Sequence, residues 1–170
     1  DKMSEREIKW KISSLKNKWI TYQKYLNILD RGDELIWTIY EKYQKALENA
    51  NALDFDDLLL MSHILFNKCE DVLFKWRNKF KYIFVDEAQD TNQLQFEIIR
   101  QLSWKDWNVS FIWDDYQSIY MRRWAVMDNF LNISKFWPDV KIFKLEVNYR
   151  SKPHIVDAWN SIIKNNTKQY

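Results

Sequence analysis

The sequence predicts an α/β fold in which strands alternate with helices around a parallel sheet, preceded by a polar helical first third. Three observations lead there. Apolar residues recur at helical steps through about residue 65. Three short apolar runs, at residues 82–85, 109–112 and 140–145, then interrupt that periodicity as buried strands do. Helical patterns return between and after them, the order expected of helices packed on a parallel sheet. A chain of 170 residues suits one domain of ordinary size and can bury a core.

Each element has its own justification. Ser4 and Glu7 have capping-box spacing, and Ile8, Ile12, Leu15 and Trp19 follow at helical steps. A second helix starts after Asp33, with Leu35, Ile36, Ile39, Tyr40, Tyr43 and Leu47 on one face. A third runs from about Asp54 through Leu58, Leu59, Met61, Ile64 and Leu65. Tyr82-Ile83-Phe84-Val85 is a continuous apolar run, the pattern of a strand buried on both faces. Leu94, Phe96, Ile98, Ile99 and Leu102 restore helical spacing. Residues 109–112 form the second strand, 127–136 a helical stretch and 140–145 the third strand. A closing helix covers 153–165, with Pro153 near its start, where its missing N–H costs nothing. In such sheets ligands bind beyond the carboxyl ends of the strands. Chemistry is therefore to be sought after Val85, Ile112 and Leu145.

Composition bounds the function. Lys and Arg number 26 against 24 Asp and Glu, so the net charge of +2 says little about a polyanionic partner. The single cysteine, Cys69, cannot form an internal disulfide, which favours a reducing cytoplasm. No apolar run approaches the roughly 20 residues of a membrane span, and residues 1–9 are too polar for a signal peptide. The first residue is Asp rather than Met, as expected of a fragment. Glycine occurs once and tryptophan 10 times, so no glycine-rich phosphate loop is possible here.

At the first strand end stands Asp86-Glu87-Ala88-Gln89-Asp90. An apolar strand running into Asp-Glu is the Walker B arrangement. The Asp can hold Mg²⁺ that bridges nucleotide phosphates, and the next carboxylate can orient and deprotonate water. The plainer reading is an acidic turn capping the next helix through Asp90 or Thr91. At the second end, Trp113-Asp114-Asp115-Tyr116-Gln117-Ser118-Ile119-Tyr120 precedes Arg122-Arg123-Trp124-Ala125. A Gln there can sense phosphate or position water, and Arg with aromatics suits a nucleic-acid backbone and stacked bases. Alternatively this is an ordinary amphipathic turn. At the third end, Glu146-Val147-Asn148-Tyr149-Arg150-Ser151 offers an Arg for a γ-phosphate and a Tyr for stacking, or else a plain loop with Ser151 as helix cap.

In this order and spacing the segments resemble the UvrD/Rep family of superfamily 1 DNA helicases. Residues 51–59, Asn-Ala-Leu-Asp-Phe-Asp-Asp-Leu-Leu, resemble the family's lead-in segment. Residues 85–92 resemble motif II, residues 114–120 with Arg123 and Ala125 motif III, and residues 145–151 motif IV. The resemblance implies a RecA-like P-loop NTPase fragment. Residues 1–50 would end the first inserted helical subdomain (1B-like). Residues 51–144 would complete the first RecA-like domain (1A), and residues 145–170 would begin the second (2A).

The resemblance also implies roles. Asp86 would be the Mg²⁺ carboxylate and Glu87 the general base. Gln89 and Gln117 would couple the γ-phosphate to the DNA side. Tyr149 would stack on adenine, and Arg150, with Gln117, would contact the nucleotide. Tyr120, Arg122 and Arg123 would lie on the single-stranded DNA path, where Arg122 replaces the family's stacking aromatic; an Arg can itself stack on bases. The implied parent is an ATP-driven 3′→5′ DNA translocase and helicase using Mg²⁺ and acting on single-stranded or 3′-tailed DNA. Without a Gly-x-x-x-x-Gly-Lys-[Ser/Thr] loop, this chain alone is expected to be inactive. Two alternatives stand beside this reading: a non-catalytic nucleic-acid-binding or interaction module left from a decayed helicase, and the motor part of a helicase–nuclease subunit. A metal-only hydrolase on Asp86, Asp90, Asp114 and Asp115 is disfavoured, since His63 and His154 lie far from them in sequence.

The glycine deficit has its own explanation. The family reads Gly-Asp-Asp where this chain has Trp113-Asp114-Asp115, and Arg-Gly-Ala where it has Arg123-Trp124-Ala125. Lys16-Asn17-Lys18-Trp19 resembles a family Lys-Asn-x-Gly segment, and Trp104 and Trp107 sit where a turn favours glycine. The hypothesis is that UGA codons meaning glycine, as in some bacterial lineages, are rendered as tryptophan. Counting all ten tryptophans as glycine brings that residue close to the average of about 7%. Strain is then expected at Trp113 and Trp124.

Overall fold

The computed structural model describes residues 3–103, 108–114, 117 and 133–164. It divides into two compact units: Asp1–Ile83 with Asn92–Asn108, and Phe84–Thr91 with Val109–Tyr170.

The first unit is helical. Its elements are α1 (Glu5–Asn17), α2 (Tyr22–Leu26), α3 (Glu34–Asn49), α4 (Phe55–Lys68), α5 (Glu70–Lys79) and α6 (Gln93–Leu102). The capping box at the start of α1 forms: the Glu7 amide donates to Ser4 Oγ at 3.3 Å, and Ser4 N–H donates to the Glu7 carboxylate at 2.7 Å. Ile12 and Leu15 of α1, Tyr25 of α2 and Ile36 and Tyr40 of α3 bury one another. Each is a position that the helical spacing predicts or that a short turn brings in. Two helices went unpredicted. At five residues, α2 is too short for periodicity to register, and Thr21 starts it by accepting the Lys24 amide. In α5 the apolar residues Val72, Leu73 and Trp76 are only half-buried, and a stretch of ten residues gives the periodicity little length in which to register.

A buried ion cluster joins three of these helices. Lys16 is fully buried; its Nζ lies 2.7 Å from Asp54 Oδ2 and 2.8 Å from Asp57 Oδ1. Gln44 of α3 donates to the other Asp57 oxygen at 3.1 Å, and Tyr43 OH donates to Asp54 at 2.8 Å. The same two carboxylates form the capping box of α4. Asp54 and Asp57 thus satisfy helix amides on one side and a buried ammonium on the other, which is how charge is tolerated out of water. Asn17 extends the network. It donates to Asp56 at 2.8 Å and accepts from Asn92 at 2.6 Å, and Asn92 is the N-cap of α6.

The strands are short. β1 (Ile83–Val85) and β2 (Val109–Phe111) pair in parallel as a two-stranded sheet. Ile83 N–H donates to Asn108 O, and Ile112 N–H to Val85 O, both at 2.8 Å. Helices with a small parallel sheet fit the predicted α/β class. Three expectations are corrected. β1 is not buried on both faces: Phe84 is 73% exposed, with Ile83 and Val85 half-buried. No described element covers the Phe84 side, so the strand behaves as a one-sided one. Residues 140–145 form no strand, and Leu145 is 93% exposed. A strand needs a partner for its backbone groups, and no described strand pairs with this run. Of the helix expected at 127–136, residues 127–132 lie outside the described residues, and Ile133–Lys135 is a single 3₁₀ turn.

In the second unit, Ile133 and Trp137 are buried, and Trp137 meets Phe111 edge-on at 5.2 Å. The last helix, α7 (Pro153–Ile163), begins with Pro153 as predicted, but its N-cap is Lys152 rather than Ser151. It buries no residue. No described helix is long and apolar enough to cross a membrane.

Candidate functional site

The loop after β1 folds back on the end of β2. Ala88 N–H donates to Ile112 O at 2.9 Å, and Ala88–Asp90 forms a 3₁₀ turn closed by Thr91, whose hydroxyl donates to Ala88 O at 2.6 Å. The cap of the following helix is Asn92, neither Asp90 nor Thr91. This fold-back brings two strand ends together and creates one buried polar position, Gln89.

Gln89 is 1% exposed and uses both ends of its amide. Its Nε2 donates to Glu87 Oε2 at 2.5 Å, and its Oε1 accepts the backbone N–H of Asp114 at 3.0 Å. Asp114 in turn accepts from Gln117 Nε2 at 2.8 Å. A continuous chain of hydrogen bonds therefore runs Glu87–Gln89–Asp114–Gln117. The donor to Glu87 is charge-assisted, the stronger class of hydrogen bond.

Glu87 has a second peculiarity. Its backbone lies in the left-handed region, at φ 49° and ψ 42°. A side chain there costs energy, and such outliers gather where the surroundings over-determine a functional geometry. The conformation turns the Glu87 amide onto Asp86 Oδ1 at 2.9 Å. Both carboxylates are exposed while the amide beneath Glu87 is buried. The arrangement can present two acids to solvent with one of them held from below.

Mg²⁺ takes one or two carboxylates and completes its shell with phosphate oxygens and water. Asp86 is exposed, with one oxygen engaged by a backbone N–H. That donor set fits this mode of binding. Among the described residues no three His, Cys, Asp or Glu are grouped as a protein-only metal cage.

The other predicted residues are placed as follows. Tyr149 is 92% exposed and Arg150 is exposed. Asn148 Oδ1 accepts the amides of both Arg150 and Ser151 at 2.9 Å, an Asx turn that holds the segment ahead of α7. No hydrogen bond or ion pair among the described residues links Tyr149 or Arg150 to the loop after β1. Tyr120, Arg122 and Arg123 lie outside the described residues. So the structure brings together Asp86, Glu87, Gln89 and Gln117, and leaves Tyr149 and Arg150 apart. Sequence reasoning missed the Asp114 backbone amide, the left-handed Glu87 and the Asn148 turn. Only the last had a signal, since Asn favours such turns. Trp113 is half-buried, and its φ is not positive, so the strain expected there is not in its backbone. Trp124 lies outside the described residues.

The chain is α/β, with Asp86, Glu87 and Gln89 just beyond the end of its first strand, where ligands bind in many parallel sheets. Comparison narrows this. The family model for the UvrD/REP helicase N-terminal domain matches residues 1–138. The chain is 37% identical over 165 residues to the ATP-dependent DNA helicase PcrA of Leuconostoc citreum, covering 96% of this chain and 22% of that protein. It is 38% identical over 162 residues to the ATP-dependent DNA helicase Rep of Buchnera aphidicola, covering 95% and 25%. It is 40% identical over 159 residues to PcrA of Staphylococcus aureus, covering 93% and 22%. The chain belongs to the UvrD/Rep helicase family. It spans a quarter or less of the length of these relatives.

Proposed function

We propose that this chain is part of an ATP-dependent DNA helicase and carries the centre that couples ATP hydrolysis to movement along single-stranded DNA with 3′→5′ polarity. The observation that carries the reading is the hydrogen-bonded chain from Glu87 through Gln89 and Asp114 to Gln117. It joins the proposed base to the segment that resembles motif III. The relatives are named as ATP-dependent DNA helicases. In this reading residues 51–144 complete one RecA-like domain and residues 145–170 begin a second.

Bound Mg²⁺ supplies charge neutralisation on the phosphates. The chain's residues do the rest. Asp86 holds the ion through its exposed carboxylate. Glu87 accepts a proton from the attacking water. The Gln89 amide holds Glu87 Oε2, so the proton goes to the other oxygen, and the same amide is tied to the Asp114 backbone. A shift at Gln117 is thereby felt at the base. Arg150 stabilises charge on the γ-phosphate and Tyr149 stacks on adenine. The DNA contacts fall to Tyr120, Arg122 and Arg123.

The test is made in the full-length parent. Glu87→Gln keeps nucleotide binding and loses about 100-fold or more in DNA-stimulated ATP turnover. Turnover at the wild-type rate would overturn the assignment. The isolated 170-residue chain has no phosphate loop. It is expected to give no DNA-stimulated ATPase, and measurable activity would sink that part of the reading.

A further inference from the structure

The turn that ends α1 is built for glycine. Lys18 is the C-cap, and Trp19 follows at φ 62°, in the left-handed region. Trp19 N–H donates to Lys16 O and Ile20 N–H to Leu15 O, both at 3.0 Å. These two bonds define a Schellman motif, with Trp19 at the position that glycine dominates. Ile20 packs against the core that contains Leu15, the apolar contact that accompanies the motif.

The chain contains its own control. α3 ends in the same way: Asn51, at φ 51°, donates to Glu48 O at 3.0 Å, and Ala52 donates to Leu47 O at 2.9 Å. Asn is the non-glycine residue best suited to that conformation. A bulky side chain there is an outlier. Of the described residues with positive φ, Gly32 has no side chain to clash, Asn51 has a suitable one and Glu87 sits in the site loop; Trp19 has none of these reasons.

The side chain adds a second anomaly. The Trp19 indole Nε1 is buried with no hydrogen-bond partner, a cost that folded proteins seldom carry. Trp37 is the contrast. It lies inside α3, donates its indole N–H to Tyr22 O at 3.0 Å and packs on the core. Nothing at Trp37 asks for glycine. The composition is the third, independent observation: one glycine against ten tryptophans.

We propose that residue 19 of the protein made in its own cell is glycine, and that its codon is a UGA read as glycine by the source organism. The inference stands apart from the helicase reading, because it rests on backbone geometry at the end of α1. It also refines the compositional argument, since it names one tryptophan that the fold rejects and one that it uses.

Position 19 can be read directly. Trypsin cleaves after Lys18 and Lys24, so peptide mass spectrometry on protein from the source organism should find Gly-Ile-Thr-Tyr-Gln-Lys. Tryptophan in that peptide overturns the proposal, as does a UGG codon in the gene. A second measurement uses the recombinant full-length parent carrying Trp19→Gly or Trp19→Ala. Both remove the indole and its stacking on His63. Only glycine relieves the positive φ. The Trp19→Gly protein is expected to unfold about 1 °C above the Trp19→Ala protein. Equal midpoints overturn the geometric argument.

Discussion

Gln89 is the residue on which the site geometry depends. It is buried, amidic and bonded at both ends, so it cannot be replaced without leaving a polar group unpaired. A hydrogen bond to a charged group contributes about 1.5–3 kcal/mol, and about 1.4 kcal/mol is tenfold in rate. In the full-length parent, Gln89→Ala is therefore expected to lower DNA-stimulated kcat at least about tenfold while nucleotide binding persists. Gln89→Glu should be no better, because a carboxylate cannot donate to Glu87 and adds a like charge beside it. Steady-state ATPase and nucleotide titration check both. The position of these acids was legible in sequence, since an apolar run ending in Asp-Glu marks the end of a strand. The depth of Gln89 was not. Its burial depends on the fold-back of Ala88 onto Ile112, a contact between residues far apart in the chain. Lys16 was illegible for a related reason. Lysine is almost never fully buried unless paired, and its partners lie some forty residues away in sequence.

Among the elements, α1, α3 and α4 act together through that lysine. Lys16→Met keeps the aliphatic volume but leaves Asp57 buried without its counter-charge. Breaking a buried pair from one side costs about 3–5 kcal/mol, and urea unfolding should register a loss of that size. A milder change is Asn92→Ala. It removes the cap of α6 and the bond to Asn17, at a cost of about 1 kcal/mol for the cap. The capped, amphipathic helices were readable because cap and stripe are local. Thus Ser4 with Glu7 and Asp54 with Asp57 mark helix starts in the sequence itself. The run at 140–145 misled because an apolar, β-branched pattern states only a preference. Becoming a strand requires an edge to pair with, and sequence does not say where edges are.

For the whole chain, acid is the informative stress. Burial pushes the Asp54 carboxyl up, but the Lys16 ammonium, the Asp57 amide and the Tyr43 hydroxyl outweigh it and hold it below its ordinary value. The unfolded state then binds the proton more readily than the folded one. The stability from Asp54 is complete above the ordinary carboxylate pKa of about 4 and is lost as pH falls through the lower folded value. Thermal midpoints taken downward from neutral pH should drop across this range, and Asp54→Asn should flatten the slope. An unchanged slope in that variant would assign the acid sensitivity to other carboxylates. The same hydroxyl responds at the other extreme: burial, then Asp54, push Tyr43 up to about 12. The bareness of α7, which buries none of its eleven residues, has a consequence in time rather than in energy. An α-helix with no fully buried residue opens by local fraying, without waiting for the molecule to unfold. In deuterated solvent its amides should exchange early and independently of denaturant, whereas those of α3, whose Ile36 and Tyr40 lie in the core, should exchange last.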